Sequence, residues 1–279
     1  MLNANRAIAC VVMAGLLMRS LDDGRFVTGP AGRLYVDVRG AGGLPVVFVP
    51  SLAGTTRHWE PQLAHLAATR QVVAVDLRGH GRSDPPASSA YEPRDFGRDL
   101  QAVLDALEIP RAVLVGHSMG SAAAVAFASE HPSRVAGLLL VDPVDDPLKR
   151  PPDPDFEKSM ARLEGDAYSQ TIEGYWRQIL VHAAPGVQAL VMADLKATPQ
   201  RTVVESMLAL ARFDTSRALA RYRGPVMSVT TPLNDYPSSL HRLDPGLAHE
   251  RMTGVSHWLQ LDRPEAFNRI LDAFLGKVR

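Results

Sequence analysis

The sequence predicts an α/β fold: a mostly parallel central sheet flanked by helices, with a helical cap inserted late in the chain. Two observations carry this prediction. Short β-branched or aliphatic runs alternate with helical stretches, and segment 143–224 shows helical periodicity alone. Because the runs are continuously apolar, they indicate strands buried on both faces, as parallel strands are. These strands are predicted at Val46–Val49, Val72–Val75, Ala112–Val115, Leu138–Val141 and Val226–Val229.

One half-buried strand and several helices complete the predicted core. Residues Arg33–Val38 alternate polar and apolar, which is typical of a strand with one solvated face. Prolines mark helix boundaries: Glu92-Pro93 and Arg263-Pro264 stand where helices start, and His131-Pro132 stands where one ends. The helices are predicted at Trp59–Ala67, Arg94–Leu107, Ser118–Glu130 and Pro264–Leu275.

Segment 143–224 is predicted to form a cap over the carboxyl ends of the core strands. It opens with a Pro- and Asp-rich linker at 143–154 and then shows two amphipathic helical patterns. Their apolar faces comprise Tyr168, Ile172, Tyr175, Trp176, Ile179 and Leu180 in the first pattern, and Val203, Met207, Leu208 and Leu210 in the second. We therefore expect a core of residues 25–142 and 225–279, and a cap in which a minority of apolar side chains lines a pocket.

The N-terminal segment, 1–24, allows two interpretations. An apolar run at 7–18 follows Arg6; it is too short to span a bilayer but has the length of the apolar part of a signal peptide. The residues after it, Arg19 to Asp23, offer no small-x-small cleavage site. We expect no stable membrane span and favour a cytoplasmic location, with export or anchoring through this run as the alternative.

The composition gives no support for a nucleic-acid partner, a metal or a cofactor. The chain has 279 residues, 46% of them hydrophobic, which is enough for a large core. Thirty basic and thirty acidic residues give no net charge, so nothing favours a nucleic-acid partner, and we expect a small neutral or apolar substrate. Cys10 is the sole cysteine and no His-Glu-x-x-His spacing occurs, so we expect no metal and no cofactor. The oligomeric state stays open.

The most informative motif is Gly116-His117-Ser118-Met119-Gly120, which lies between a predicted strand and an Ala-rich predicted helix. A G-x-S-x-G in this context forms a nucleophile elbow. Its glycines permit a sharp turn, so that the serine hydroxyl projects above the sheet and the next backbone N–H points at an oxyanion. Ser118 is therefore the candidate nucleophile, and the amide of Met119 is a candidate oxyanion donor.

Four stretches carry a resemblance to a known family. They are Val46–Gly54 followed by Trp59, Asp76–Asp84, Gly116–Gly120, and Gly254–His257 followed by Asp262–Phe267. Together they resemble the alpha/beta-hydrolase fold family, in particular its capped serine esterase and haloperoxidase-like group. The resemblance covers the chain from about Phe26 to Leu275. It implies that family's fold and says little about the substrate.

The resemblance places Leu52 in the oxyanion loop, where its backbone N–H would join that of Met119. This chain has Pro50-Ser51 where the family usually has His-Gly. Leu52 keeps its N–H, since only proline lacks this donor, so the departure changes the support of the loop rather than the donor itself. The alternative is that Leu52 only packs the loop.

His257 is the expected general base. In the family it resembles, the acid and then the histidine follow the nucleophile along the chain. The other histidines precede or adjoin Ser118, end the helix that follows it, as His131 does, lie in the cap, or fall in a predicted helical turn or strand, as His241 and His249 do. His257 alone lies in a Gly-flanked loop after the last predicted strand, where a base is expected.

The acid that would orient His257 has three candidates. Asp235 follows strand Val226–Val229, where the family usually carries its acid, although the usual glycine of that turn is absent. Asp142 ends the preceding strand and Asp145 lies just beyond it, a location that related enzymes sometimes use. We expect Asp235 to be the acid; otherwise it caps a short helix.

These observations predict a serine hydrolase that cleaves a carboxylic ester or lactone of a small hydrophobic substrate through an acyl-enzyme. The alternatives within this fold are C–C bond hydrolysis, lyase chemistry and perhydrolysis. Epoxide and haloalkane hydrolysis are disfavoured because the relatives that catalyse them carry aspartate at the elbow. An alternative of another class is a small-molecule receptor without catalysis.

Overall fold

The computed structural model describes residues 24–151, 155, 158, 161–163 and 165–278, and an eight-stranded sheet forms its centre. The strand order is β1-β2-β4-β3-β5-β6-β7-β8. β1 and β2 are antiparallel, β2 is antiparallel to β4, and all other neighbours are parallel. The strands are β1 (Gly24–Gly29), β2 (Gly32–Arg39), β3 (Val46–Val49), β4 (Val72–Val75), β5 (Ala112–His117), β6 (Val135–Val141), β7 (Val226–Thr230) and β8 (Ala248–Arg251).

The central strands are apolar along their whole length because both faces of the sheet are covered. In β3, Val47 and Val49 pack into the apolar cluster on one face, whereas Val46 and Phe48 pack into the cluster on the other. All residues of β3, β4, β5 and β6 are buried. The predicted α/β class with a mostly parallel sheet is confirmed.

Helices of the core flank this sheet: α1 (Glu60–Leu66), α2 (Pro93–Ala106), α3 (Met119–Glu130), α8 (Leu240–Leu243), α9 (Leu259–Asp262) and α10 (Pro264–Leu275). Prolines in the first turn of α2 and α10 fall where the sequence predicts helix starts. At the start of α2, Asp95 Oδ2 accepts a hydrogen bond from the Glu92 backbone at 3.1 Å.

The sequence patterns do not predict strand β1. Its residues, Gly-Arg-Phe-Val-Thr-Gly, have glycine at both ends and bury only Val27. The strand forms because β2 offers it a complete antiparallel register, from Gly24 opposite Asp37 to Gly29 opposite Gly32. Phe26 also packs edge-on against Tyr35 of β2, with ring centroids 5.5 Å apart.

Between β6 and β7 the described elements are helical. We call four of them the cap helices: α4 (Tyr168–Ile179), α5 (Pro185–Ala197), α6 (Gln200–Leu210) and α7 (Thr215–Leu219). Of the predicted apolar face on α4, Ile172 and Trp176 are buried, whereas Tyr175 is 47% exposed. The sequence patterns do not single out α5.

A buried carboxylate on α5 ties the cap helices to the core. Asp194 accepts a hydrogen bond from Thr55 Oγ1 at 3.0 Å, pairs with Arg57, and lies 3.0 Å from His58 Nε2. Burial raises the pKa of Asp194, but the contacts with His58, Thr55 and Arg57 outweigh it and hold the pKa below its usual value. The carboxylate therefore stays ionised and fixes α5 beside the loop that follows β3.

No helix in the described ranges is long and apolar enough to cross a bilayer. The apolar run at 7–18, on which the alternative of export or anchoring depends, lies outside the described residues.

Candidate active site

Ser118 lies at the sharp turn from β5 into α3. Its backbone adopts φ 51° and ψ −115°, a left-handed conformation that is strained for a residue with a side chain, and its N–H donates to Val141 O at 2.9 Å. The turn is tight: a Cβ at Gly120 would lie 2.3 Å from the Val49 carbonyl oxygen. Glycine is therefore required there, and the start of α3 lies directly against the end of β3.

His257 follows β8 and is held through its own backbone. Its N–H donates to Ile179 O of cap helix α4 at 3.0 Å, and its carbonyl accepts from His117 Nε2 at 2.9 Å. Its side chain is nearly buried, and Nδ1 lies 2.6 Å from Asp142 Oδ2. Because a carboxylate only accepts hydrogen bonds, Nδ1 carries the proton and Nε2 keeps a lone pair, as a general base requires.

Asp142 is a fully buried carboxylate at the carboxyl end of β6. Its backbone has φ 39°, and three donors converge on its side chain. Thr231 N donates to Oδ1 at 2.7 Å, Thr231 Oγ1 donates to Oδ2 at 3.0 Å, and His257 Nδ1 is the third donor. A buried charge is tolerated only when it is compensated in this way.

The expectation that Asp235 orients His257 is not met by the geometry and is revised. Asp235 lies at the edge of the sheet, with Arg242 Nε at 2.5 Å, His241 Nε2 at 3.2 Å and Arg251 Nη1 at 3.4 Å from its carboxylate oxygens. The hydrogen bond from Arg242, with the charges of its cationic neighbours, lowers the pKa of Asp235 to about 2. Asp235 is thus a structural ion-pair centre.

The carboxylate of the third candidate, Asp145, is occupied by partners other than His257. Its carboxylate pairs with Arg150, with Nε at 2.7 Å from Oδ2, and accepts a hydrogen bond from Ser238. Burial raises the pKa of Asp145, yet these partners hold it below its usual value. Of the three candidate acids, Asp142 is the one that the structure brings to His257.

Sequence reasoning missed the loop after β7, which supplies donors rather than the acid. Thr231 donates to both carboxylate oxygens of Asp142, and Asn234 Nδ2 donates to the Asp142 backbone carbonyl at 3.3 Å. One signal was available: β6 and β7 are parallel neighbours, so Asp142 and Thr231, each directly after its strand, must end at the same edge of the sheet.

His117, which precedes Ser118, contacts His257 and does not compete with it as the candidate base. Its ring centroid lies 4.6 Å from that of His257. Burial lowers the pKa of His117 well below its ordinary value, and the nearby rings of His257 and His58 lower it further. Because Nε2 must carry a proton to donate to the His257 carbonyl, His117 is a neutral donor in the core.

Leu52 and Met119, the predicted oxyanion residues, lie beside Ser118, the candidate nucleophile. Leu52 lines the same cavity as Ser118, and Met119 is the first residue of α3. Within the described part of the chain, neither backbone N–H donates a hydrogen bond to another protein atom. Met119 also lies at the positive end of the α3 dipole, so both amides are available to a developing negative charge.

A cavity of about 180 Å³ lies between the sheet edge and the cap helices, and both Ser118 and His257 line it. Its walls are mainly apolar, from Leu52, Val144, Trp176, Ile179, Met207 and Trp258. Arg150 and Asp145 also reach it, but they pair with each other and leave little net charge. A larger cleft of about 560 Å³, beside α2, α6 and α7, contains neither Ser118 nor His257, so we assign the chemistry to the smaller cavity.

Comparison with known proteins gives matches along the chain. A 2-hydroxy-6-oxononadienedioate/2-hydroxy-6-oxononatrienedioate hydrolase of Cupriavidus pinatubonensis is 30% identical, over 90% of this chain and 95% of that protein. A 2-(acetamidomethylene)succinate hydrolase of Mesorhizobium japonicum is 33% identical, over 40% of each. Three relatives, this one included, match over 30% to 42% of their own length. The chain therefore spans less than half the length of each of these three proteins.

A solved structure is also similar to this chain over most of its length. It is that of Est816, described as an N-acyl homoserine lactone degrading enzyme, with 27% identity and a TM-score of 0.71 over 90% of this chain and all of that one. The family model described as the alpha/beta hydrolase fold matches residues 45–264, more than half of the chain. The chain therefore belongs to the alpha/beta-hydrolase fold family.

Proposed function

We propose that the protein is a serine hydrolase that cleaves a carboxylic ester or lactone of a small hydrophobic substrate through an acyl-enzyme. One observation carries the proposal: a histidine whose Nδ1 is fixed by a buried carboxylate at 2.6 Å lines the same cavity as a serine at a strained elbow. Ser118 is the nucleophile, His257 the base and Asp142 the acid that orients it.

Each group has a defined part in the proposed reaction. Ser118 Oγ attacks the acyl carbon while His257 Nε2 takes its proton; the imidazolium then protonates the leaving alcohol, and water repeats the sequence to release the acid. Asp142 stabilises the positive charge that forms on the imidazole. The amides of Leu52 and Met119 donate to the oxyanion in both steps.

The cavity supports a small, neutral substrate. Its volume of about 180 Å³ and its apolar walls suit a short acyl or alcohol group. The Arg150 guanidinium is matched by Asp145, so it adds little attraction for a charged substrate. The Est816 description, N-acyl homoserine lactone degradation, makes lactones worth testing beside esters.

C–C bond hydrolysis is the second candidate, because the Cupriavidus relative matches along nearly all of both chains and its name gives a 2-hydroxy-6-oxo dienedioate as substrate. A panel containing p-nitrophenyl esters, lactones and such a dienedioate would rank the classes by kcat/KM.

Labelling with a fluorophosphonate tests the proposal itself. We expect stoichiometric modification at Ser118, located by peptide mass spectrometry, and strong loss of labelling rate in His257→Ala because the nucleophile then lacks its base. A folded protein that binds small molecules but remains unlabelled would instead support a receptor without catalysis.

Trp176→Ala is expected to shift substrate preference towards longer acyl chains. Trp176 is 3% exposed and lines the cavity, so truncation enlarges the space beside Ser118. The measurement is kcat/KM for p-nitrophenyl esters of increasing chain length, with melting temperature recorded alongside. Tyr168→Ala is the matched control, since Tyr168 packs on the same helix outside the cavity lining and should change stability alone. An unchanged chain-length profile in Trp176→Ala would refute this placement of α4.

A further inference from the structure

The hydroxyl of Ser51 is buried without a protein partner beside the nucleophile. Ser51 is 2% exposed, and within the described residues its Oγ makes no hydrogen bond. Ser51 also lines the cavity that Ser118 and His257 line. A buried hydroxyl without a partner destabilises the fold, and a ligand group that pairs with it would remove this penalty.

The backbone does not explain the serine. The Ser51 carbonyl accepts a hydrogen bond from Gly54 N at 2.9 Å, which forms the turn of the loop, and any residue supplies that carbonyl. The left-handed φ in this loop belongs to Ala53, at 57°, and not to Ser51. Alanine would therefore fit the loop as well as serine does and would remove the unpaired group.

The position of Ser51 in the loop suggests what its hydroxyl pairs with. Ser51 directly precedes Leu52, and both residues line the cavity together with Ser118. Leu52 N is the proposed oxyanion donor. Ser51 Oγ is itself enclosed by protein, so its hydroxyl pairs with an oxygen held by Leu52 N only after the Ser51 side chain rotates about χ1.

We propose that Ser51 Oγ–H is a third donor to the substrate acyl oxygen, in addition to the amides of Leu52 and Met119, and is therefore a catalytic residue. The inference rests on the proposed serine hydrolase function and deepens it. No covalent bond to Ser51 forms or breaks: the hydroxyl donates to the carbonyl oxygen as negative charge develops on it and keeps its proton throughout.

Ser51→Ala tests the proposal through opposite effects on activity and stability. We expect kcat for p-nitrophenyl butyrate to fall by about 10- to 100-fold, since one oxyanion donor is worth at most about 10³-fold and two amides remain. The melting temperature should stay the same or rise, because an unpaired buried hydroxyl is removed. Fluorophosphonate labelling at Ser118 should persist at a lower rate. Ser51→Gly, the residue of the resembling family, serves as a second variant if the alanine protein folds poorly.

Ser228→Ala is the matched control. Ser228 in β7 is fully buried and its Oγ also lacks a partner among the described residues, but it does not line the cavity. Like Ser51→Ala, the Ser228→Ala protein should have a melting temperature equal to or higher than that of wild type. Its kcat should be unchanged.

A thionoester distinguishes an oxyanion donor from a structural residue. Sulfur accepts hydrogen bonds poorly, so the wild-type preference for the oxygen ester over its thiono analogue should shrink at least fivefold in Ser51→Ala, whereas a merely structural defect lowers both rates equally. An unchanged ratio, or a kcat within twofold of wild type, would overturn the role of Ser51 alone. A wild-type protein that neither labels nor hydrolyses would overturn the proposed function first.

Discussion

Replacing Ser118 by alanine is expected to remove essentially all turnover, by on the order of 10⁴- to 10⁶-fold in kcat, as losses of the nucleophile do in serine hydrolases. The fold should survive, because the hydroxyl lies at the cavity while the backbone N–H keeps its hydrogen bond to Val141 O. Turnover is measured with p-nitrophenyl esters. The melting temperature and circular dichroism of the same sample show whether the variant is folded.

Ser129→Ala provides the control for this substitution. Ser129 lies near the end of α3, and its Oγ donates only to the Ala126 carbonyl at 2.8 Å, far from the elbow. Its activity should match wild type. A folded Ser118→Ala protein with near-normal ester hydrolysis would remove Ser118 from the mechanism and return the receptor and other chemistries to consideration.

Much of the fold could be predicted because local patterns and burial agree in the core. Runs such as Val46–Val49 and Val72–Val75 form strands over those same residues. Because both faces of these strands are buried, every residue is apolar and the run itself marks the strand. β1 could not be predicted, because its stability comes from pairing with β2 and not from its own composition. Helix α5 has a start signal in Pro185, but its position beside the core, where Asp194 pairs with the loop after β3, depends on tertiary contacts.

In the candidate site, too, some residues could be predicted from local sequence and one depends on tertiary structure. Ser118 and His257 stand in local sequence contexts that predict their positions, and both line one cavity. The acid has no such context. Which carboxylate reaches Nδ1 of His257 depends on the conformation of the loop after β7, and there Thr231 and Asn234 contact Asp142. The absence of the usual glycine in that turn was the sequence signal that Asp235 could be displaced.

Under the proposed mechanism, the buried network requires a carboxylate, and not an amide, at position 142. Thr231 N and Thr231 Oγ1 donate to Asp142 from one side and His257 Nδ1 donates from another, so both oxygens must accept. In Asp142→Asn, the amide oxygen is expected to face Thr231 N, which can only donate. The NH₂ group then faces His257 Nδ1 and forces it to accept, so the proton moves to Nε2 and the imidazole can no longer deprotonate Ser118.

Asp142→Asn is therefore expected to lower kcat by about 10²- to 10⁴-fold, whereas Asp235→Asn should stay within about twofold of wild type. The Asp235 control removes ion pairs with Arg242 and Arg251, whose side chains are about half exposed, whereas the Asp235 side chain is 8% exposed; we therefore expect a loss of stability rather than of turnover. Turnover must be compared at a temperature where both variants are folded, because Asp142 is buried at the end of β6 and its replacement can also loosen the sheet. Slower fluorophosphonate labelling of folded Asp142→Asn would locate the defect in the base rather than in the fold. The opposite pattern, an active Asp142→Asn beside a folded but inactive Asp235→Asn, would require the loop after β7 to rearrange when substrate binds and bring Asp235 to His257.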